Sequence, residues 1–300
     1  MTAPLEHRIA IGLAREIDPA VRAFAKMLGE EAGAMAVLFY GSNLRTGSLD
    51  GVLDFYVLLP GQDETRIWPT ISYREWHYGG SDLRAKIATM TLSRFVEASS
   101  GRLLDTTIWA RFVQPSALVW ERDDDVRQSV VAAVANASVT AARLAVAMGP
   151  RAGIEADFWV ALFRATYRAE LRVETSDRAR SILELNAKHF NGLLCPALDA
   201  AGIAYAQEAD TIRPALPEHQ RRAIRGWWKR RRRAGKALNV IRLAKASRTF
   251  DGAARYAAWK IERHSGVAVK VTPWRERHPL LAAPGVVWSV WRKRRRDQRK

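Results

Sequence analysis

Residues 37–58 read VLFYGSNLRTGSLDGVLDFYVL. Two apolar runs flank a turn that begins at Gly41-Ser42, and the second run carries one acid, Asp54. A carboxylate inside an apolar strand is costly unless a cation or a donor answers it. A Gly-Ser turn leaving a strand is a place where backbone N–H groups cradle phosphate. Gly41 has no Cβ to block that approach, and the Ser42 hydroxyl is one more donor for a phosphate oxygen. An acid on the strand after such a turn points to a nucleoside triphosphate held with Mg²⁺, Asp54 being the metal ligand. The same residues also suit a tight hairpin in which Asp54 caps a neighbouring loop.

Outward from this stretch, residues 16–33 carry Ile17, Val21, Phe24, Ala25 and Leu28 at helical spacing. Strands are expected at 35–40 and 52–59, the second ended by Pro60-Gly61, with a turn or short helix start over 41–51. Further strands are expected at 83–92, 107–113 and 117–120. Strands mixed with helices make the first 120 residues α+β or α/β. After the acidic run 121–125 the texture changes. Residues 126–148, 154–173 and 179–194 have helical periodicity, Asp177 being a candidate N-cap for the last. Pro214 and Pro217 suggest a linker. The organisation expected is a catalytic domain over 1–120, a helical domain over 121–213 and a basic region over 214–300.

The charge is unevenly placed. Of 48 Lys and Arg, 25 fall in residues 221–300 beside only four of the 31 acids, leaving the first 220 residues at −4 within a total of +17. A near-neutral body thus carries a cationic final quarter. The single cysteine, Cys195, excludes an internal disulfide and fits a reducing compartment. No run is expected to reach the roughly 18–20 apolar residues that span a bilayer. Glu6, Glu16 and Asp18 argue against a presequence poor in acids. The expected location is the cytoplasm, peripheral on the inner face of a membrane.

Most enzymes of the nucleotidyltransferase fold place a second acid two residues after the first, where this chain has Tyr56. In that respect, and in its Tyr40-Gly41-Ser42 turn and Leu53-Asp54-Phe55 strand, the chain resembles the mitochondrial-type phosphatidate cytidylyltransferases, CDP-diacylglycerol synthases of the translocator-maintenance family. His77-Tyr78 looks like the His-Tyr pair of that family, and Lys86 falls where it has a strand lysine. Residues 110–115, ARFVQP, are similar to a segment running from an Arg to a Pro. Tyr167, Glu170 and Arg172 keep register with a Leu-Ser-Tyr-x-Gly-Asp-x-Arg element. Arg242 and Lys245, with Thr249-Phe250-Asp251-Gly252, resemble its basic C-terminal motif. The likeness runs in pieces over about residues 35–263. Asn43 replaces a usual glycine, Gln114 a usual lysine, and the acidic stretch after the Asp54 strand shrinks to Pro60-Gly61-Gln62-Asp63.

The resemblance implies a nucleotidyltransferase-type mixed sheet followed by helices. It also implies transfer of CMP from CTP to phosphatidic acid, giving CDP-diacylglycerol and pyrophosphate with Mg²⁺ as cofactor. It makes Asp54, Lys86 and Arg111 catalytic, and Tyr40, Gly41, Ser42, Asn43 and His77 nucleotide-binding. Tyr167, Glu170, Arg172, Arg242 and Lys245 would serve the lipid phosphate or support the site. Each has a plainer reading: a solvated strand end for Lys86, a structural ion pair for Arg111, a turn histidine for His77, an ordinary helix face for the 167–172 set. Without the resemblance, the fold still admits RNA or a small molecule as acceptor, or a degenerate site that only binds.

The basic quarter interleaves charge with tryptophan. Arg221, Arg222, Arg225, Trp227, Trp228 and 229–233 form one cluster; Trp288, Trp291 and seven basic residues in 292–300 form another. Tryptophan beside Arg/Lys blocks is the composition of a segment lying in anionic lipid headgroups, each cation contributing about 1 kcal/mol. Trp227, Trp228, Trp288 and Trp291 are therefore candidate membrane contacts. Nucleic acid attracts the same charges, but adjacent tryptophans favour the lipid interface over a strand-binding groove.

Overall fold

The two apolar runs become neighbouring antiparallel strands, β1 (Ala36–Tyr40) and β2 (Leu53–Leu59), with Tyr40 opposite Asp54. The computed structural model describes residues 4–61, 69–167, 177–249, 252–265, 269 and 271–274, with side chains described throughout except at 177–179, 236–249, 253, 260 and 263–265. β3 (Thr70–Tyr78), β4 (Ser81–Thr91) and β5 (Ser116–Glu121) complete a five-stranded sheet in the order β3-β4-β2-β1-β5. β2 and β4 run parallel and the other pairs antiparallel, so the sheet is mixed and the fold α+β.

The pleat sends alternate residues to two cores. Val37, Phe39, Phe55 and Val57 face α2 (Pro19–Glu31), which buries Val21, Phe24, Ala25 and Leu28 and is capped by the Asp18 carboxylate accepting from the Ala20 N–H. Ala36, Leu38, Tyr40, Tyr56 and Leu58 face the other way. There they meet α1 (Pro4–Leu13), α4 (Leu92–Ser99), α5 (Thr107–Phe112) and α6 (Asp124–Met148). The parity of β2 puts Asp54 on this second face. The short α3 (Ser42–Thr46) follows β1 directly.

α6 is the spine of the second core. Among the described residues it is the one helix long and apolar enough to cross a bilayer, with a mean hydropathy of 1.7, although no run of that kind was expected; 72% of that window is buried inside the protein. Its alanines and valines pack against the sheet side, α7 (Glu155–Tyr167), α10 (Leu194–Ala200) and α11 (Glu218–Thr249). A small sheet orders β6 (Gly153–Ile154), β8 (Thr211–Pro214) and β7 (Tyr205–Glu208). α8 (Asp177–Leu185), α9 (Ala187–Phe190) and α12 (Ala253–Ser265) complete the described elements.

Three local expectations are corrected, and one strand was not foreseen. The strand expected over 107–113 is instead α5, Thr107–Phe112 with Val113 as its C-cap, because the Asp105 carboxylate accepts from both the N–H and the hydroxyl of Thr107 and starts a turn that buries Ile108, Trp109 and Phe112. The helix expected over 179–194 breaks into α8, α9 and the start of α10. Gly192 takes φ +75°, and the Glu155 carboxylate collects the N–H groups of Gly192 and Leu194 at 2.6 Å each. Pro214 and Pro217 do not form a linker: Pro214 closes β8 and is buried, and Pro217 precedes α11. The edge strand β3 had no counterpart in the sequence reading, since its outward residues Arg74, Glu75 and His77 mask the pattern.

The first basic–aromatic cluster is largely structural. Trp228 is 3% exposed and packs edge-on against Trp109, ring centres 6.0 Å apart, with Trp227 beside both. Arg221 and Arg225 donate to the Ala147 carbonyl near the end of α6, Arg221 to Gly149 as well. Arg231 is buried, lies 4.1 Å over the Trp227 ring and donates to the carbonyls of Gly101, Arg102 and Leu103. A buried indole is no membrane anchor, so Trp228 leaves that role and Trp227 is half-buried in the same packing. Trp288 and Trp291 lie outside the described residues.

Candidate functional site

Strand register lines up a row of side chains across the second face of the sheet. Ser116 stands opposite Tyr40, Tyr40 opposite Asp54, Asp54 opposite Lys86, and Lys86 opposite Tyr73. Side chains opposite one another on adjacent strands share a face and lie within contact range. Asp54 therefore sits between an aromatic hydroxyl and an ammonium. Burial pushes its carboxyl above the ordinary carboxylate range, and the charges of Lys86 and Arg111 pull it back. The acid that was costly in an apolar strand is answered by two cations.

Arg111 reaches the row from α5, its guanidinium carbon 4.8 Å from the centre of the Tyr40 ring. Burial raises the Tyr40 hydroxyl far above its usual range, against the pull of Arg111, so Tyr40 stays a neutral phenol. Gly41 has φ +92°, and a Cβ built there would stand 2.9 Å from Asp54 Oδ2. Only glycine fits at that corner, with the carboxylate lying against its backbone.

Tyr56, at the position of the usual second acid, is 3% exposed and packed between Tyr40 and Phe112, ring centres 5.5 and 5.3 Å away. A carboxylate at that position would be buried in an aromatic core. Among the described residues no group of three His, Cys, Asp or Glu side chains gathers to hold a metal ion.

Tyr40, Gly41, Ser42, Asp54, Lys86 and Arg111 all line one cavity of about 1270 Å³. Among the described residues its lining carries six Lys or Arg side chains against two carboxylates, those of Asp54 and Glu184. Such a lining favours a polyanion. Tyr167 lines the same cavity.

Several residues stand elsewhere. Asn43 is buried, and its amide donates to the carbonyls of Ser48 and Asp50 at 2.9 and 2.7 Å, so it clamps the loop after α3 instead of facing a nucleotide. His77 is exposed near the β3–β4 turn, paired with Asp82 at 2.7 Å, four residues along β3 from Tyr73 and away from the cavity. It is the turn histidine of the plainer reading. Glu170 and Arg172 lie outside the described residues; Arg242 and Lys245 belong to α11, their side chains outside the description.

The sequence reading passed over Arg8 and Arg15 of the α1 region, and Lys188 and His189 of α9, all of which line the cavity. Burial lowers the His189 ring to about 4, so it is neutral near pH 7 and donates Nε2–H to the Val113 carbonyl at 2.9 Å. Tyr256 of α12 was also missed. Its ring lies 5.5 Å from that of Tyr73, and its hydroxyl is raised by burial and then by the charge of Asp54. No spacing in the sequence announces such residues, because they come from elements outside the strand–turn–strand stretch, Arg8 and Arg15 before it and Lys188, His189 and Tyr256 more than 140 positions after Gly41.

No family model matches the chain, and no curated protein matches it. Among solved structures it is similar to a nucleotidyltransferase-like protein from Exiguobacterium sibiricum, with 15% identity and a TM-score of 0.24 over 61% of this chain and 77% of that one. At that identity and TM-score the likeness decides no activity.

Proposed function

We propose that the protein is a Mg²⁺-dependent nucleotidyltransferase that moves CMP from CTP to phosphatidic acid, giving CDP-diacylglycerol and pyrophosphate. The observation that carries the reading is the Tyr40–Asp54–Lys86 row with Arg111 above it, opening into a cationic cavity beside a corner where only glycine fits. The donor set suits a hard cation bound by one carboxylate oxygen of Asp54, with phosphate oxygens and water filling the octahedron. Bound there, the ion would neutralise the triphosphate and orient the leaving pyrophosphate.

The remaining chemistry is positioning and charge. The Gly41 backbone admits the phosphates close to the sheet, Lys86 faces them from β4, and Arg111 faces them from α5. A lipid phosphate oxygen bonds to the α-phosphorus as the bond to the pyrophosphate oxygen breaks, and pyrophosphate leaves with the electron pair. Cytosine as base and diacylglycerol as tail come from the family resemblance. The outward side of α11, with Arg222, Lys229, Arg230, Arg232 and Arg233 exposed, adds attraction to an anionic bilayer surface, consistent with a peripheral protein on the inner face of a membrane.

The test is incubation of the protein with α-labelled CTP and Mg²⁺ together with vesicles containing phosphatidic acid, an RNA 3′ end, or glycerol 3-phosphate. Label in a lipid product is expected. Label in RNA alone would replace the acceptor class. A second reading, a polyanion binder that transfers nothing, is favoured by Tyr56 standing where a second carboxylate usually does; Mg·CTP binding with no labelled product from any acceptor would establish it.

A further inference from the structure

The part of the cavity wall that the α1 region and α9 supply is built differently from the Asp54 row. Arg8, Arg15, Lys188 and His189 line it there. The charges of Arg15 and Arg8 both press on the His189 ring, so these groups lie within electrostatic reach of one another. Arg8 Nη2 donates to the carbonyls of His189 and Asn191 at 3.0 and 2.6 Å, and Arg15 Nε to that of Gly12 at 2.8 Å. Carbonyl contacts fix a guanidinium in place without cancelling its charge. Among the described residues neither arginine, nor Lys188, forms an ion pair. Two fixed guanidiniums facing a partly enclosed space form a site for a phosphate or carboxylate.

Apolar side chains line the cavity as well. Ile9, Leu13, Phe163, Ile182 and Leu193 line it. Ile11 and Leu185 line it too, yet are 63% and 54% exposed, which places them at the rim. A large aliphatic side chain left in water beside fixed cations fits a ligand that is anionic at one end and hydrocarbon at the other.

We propose that this part of the cavity is the acceptor station: a phosphomonoester amphiphile binds with its phosphate at Arg8 and Arg15 while its hydrocarbon leaves the cavity past Ile11 and Leu185. The inference rests on the transfer reading for what happens next, when a phosphate oxygen turns toward the nucleotide at Asp54. Binding itself does not depend on that step. A soluble phosphomonoester shares the anionic half of the ligand and lacks the tail, so the two are separable.

The full chain is titrated without CTP, once with dioctanoyl phosphatidate below its micelle concentration and once with glycerol 3-phosphate; Mg·CTP binding is measured in parallel. Wild type is expected to hold the lipid about tenfold tighter than the soluble ester, or more. The double variant Ile11→Asn, Leu185→Asn changes only exposed positions and adds no charge beside Arg8 and Arg15, and is expected to abolish that preference with glycerol 3-phosphate and Mg·CTP binding unchanged. Arg15→Gln is expected to weaken both phosphate ligands about tenfold, with an unaltered melting curve. Equal wild-type affinities, or a double variant that keeps the lipid preference, would overturn the rim assignment. Undiminished phosphate binding by Arg15→Gln would overturn the anion station. A wild type that binds the lipid but not Mg·CTP would count against the transfer reading and leave the amphiphile site standing.

Discussion

Asp54 is a half-buried acid whose charged form the fold disfavours and whose two neighbouring cations only partly compensate. Because its folded-state pKa is raised, the native state holds that proton to higher pH than the unfolded chain. The resulting loss of stability begins as pH rises through the unfolded value of about 3.9 and is complete above the folded value. Asp54→Asn removes the loss. The ligand-free variant should melt higher than wild type at pH 7, with the difference vanishing below the ordinary carboxylate range; thermal melts across pH check this. A site that gives up stability for charge is the usual trade at functional positions. Lys86→Ala should lower the transfer rate by about 10²–10³, the typical result of removing one preorganised charge partner. Steady-state rates with CTP held saturating would register it. Gly41→Ala adds a Cβ at φ +92° within 2.9 Å of the carboxylate and should abolish activity together with Mg·CTP affinity, whereas the same change at Gly47, where nothing crowds the Cβ, should leave both.

At the scale of elements, α11 is a strut whose arginines tie the end of α6 and the α4–α5 loop to the core. Arg231→Ala would strand the carbonyls of Gly101, Arg102 and Leu103 and should cost about 1–3 kcal/mol for each one left without water. Trp228→Ala should cost about 3–5 kcal/mol as a core cavity. Denaturant midpoints measure both. These roles were illegible in the sequence, where Arg221, Trp228 and Arg231 sit inside a run that reads as one solvated or lipid-facing block. Strands β1 and β2 were legible because both faces are apolar, which gives continuous apolar runs broken by a single acid. Residues 107–113 were misread because Trp109 and Phe112 carry strand propensity, while the Asp105 turn that makes them helical is a one-residue signal. Asp54, Lys86 and Arg111 were found from local pattern and resemblance; Tyr256 reaches the site only through packing of α12 on the edge strand. Gly252 (φ +78°) permits that packing, since a Cβ there would meet the Tyr73 carbonyl at 2.7 Å.

The whole molecule joins a near-neutral body to a cationic final quarter. Retention on vesicles containing phosphatidic acid should fall steeply between low and physiological ionic strength, and removal of residues 275–300 should reduce it further while Mg·CTP affinity is kept. Flotation at several salt concentrations checks both arms. The central claim is narrower than membrane attachment: one carboxylate, answered by Lys86 and Arg111, organises nucleotidyl transfer to a lipid phosphate. Its most direct test is single-turnover formation of labelled CDP-diacylglycerol from α-labelled CTP, Mg²⁺ and phosphatidic acid, comparing wild type with Asp54→Asn at equal vesicle retention. Product from wild type and essentially none from the variant is the expected result; an Asp54→Asn protein that still makes the lipid nucleotide at the wild-type rate would contradict it.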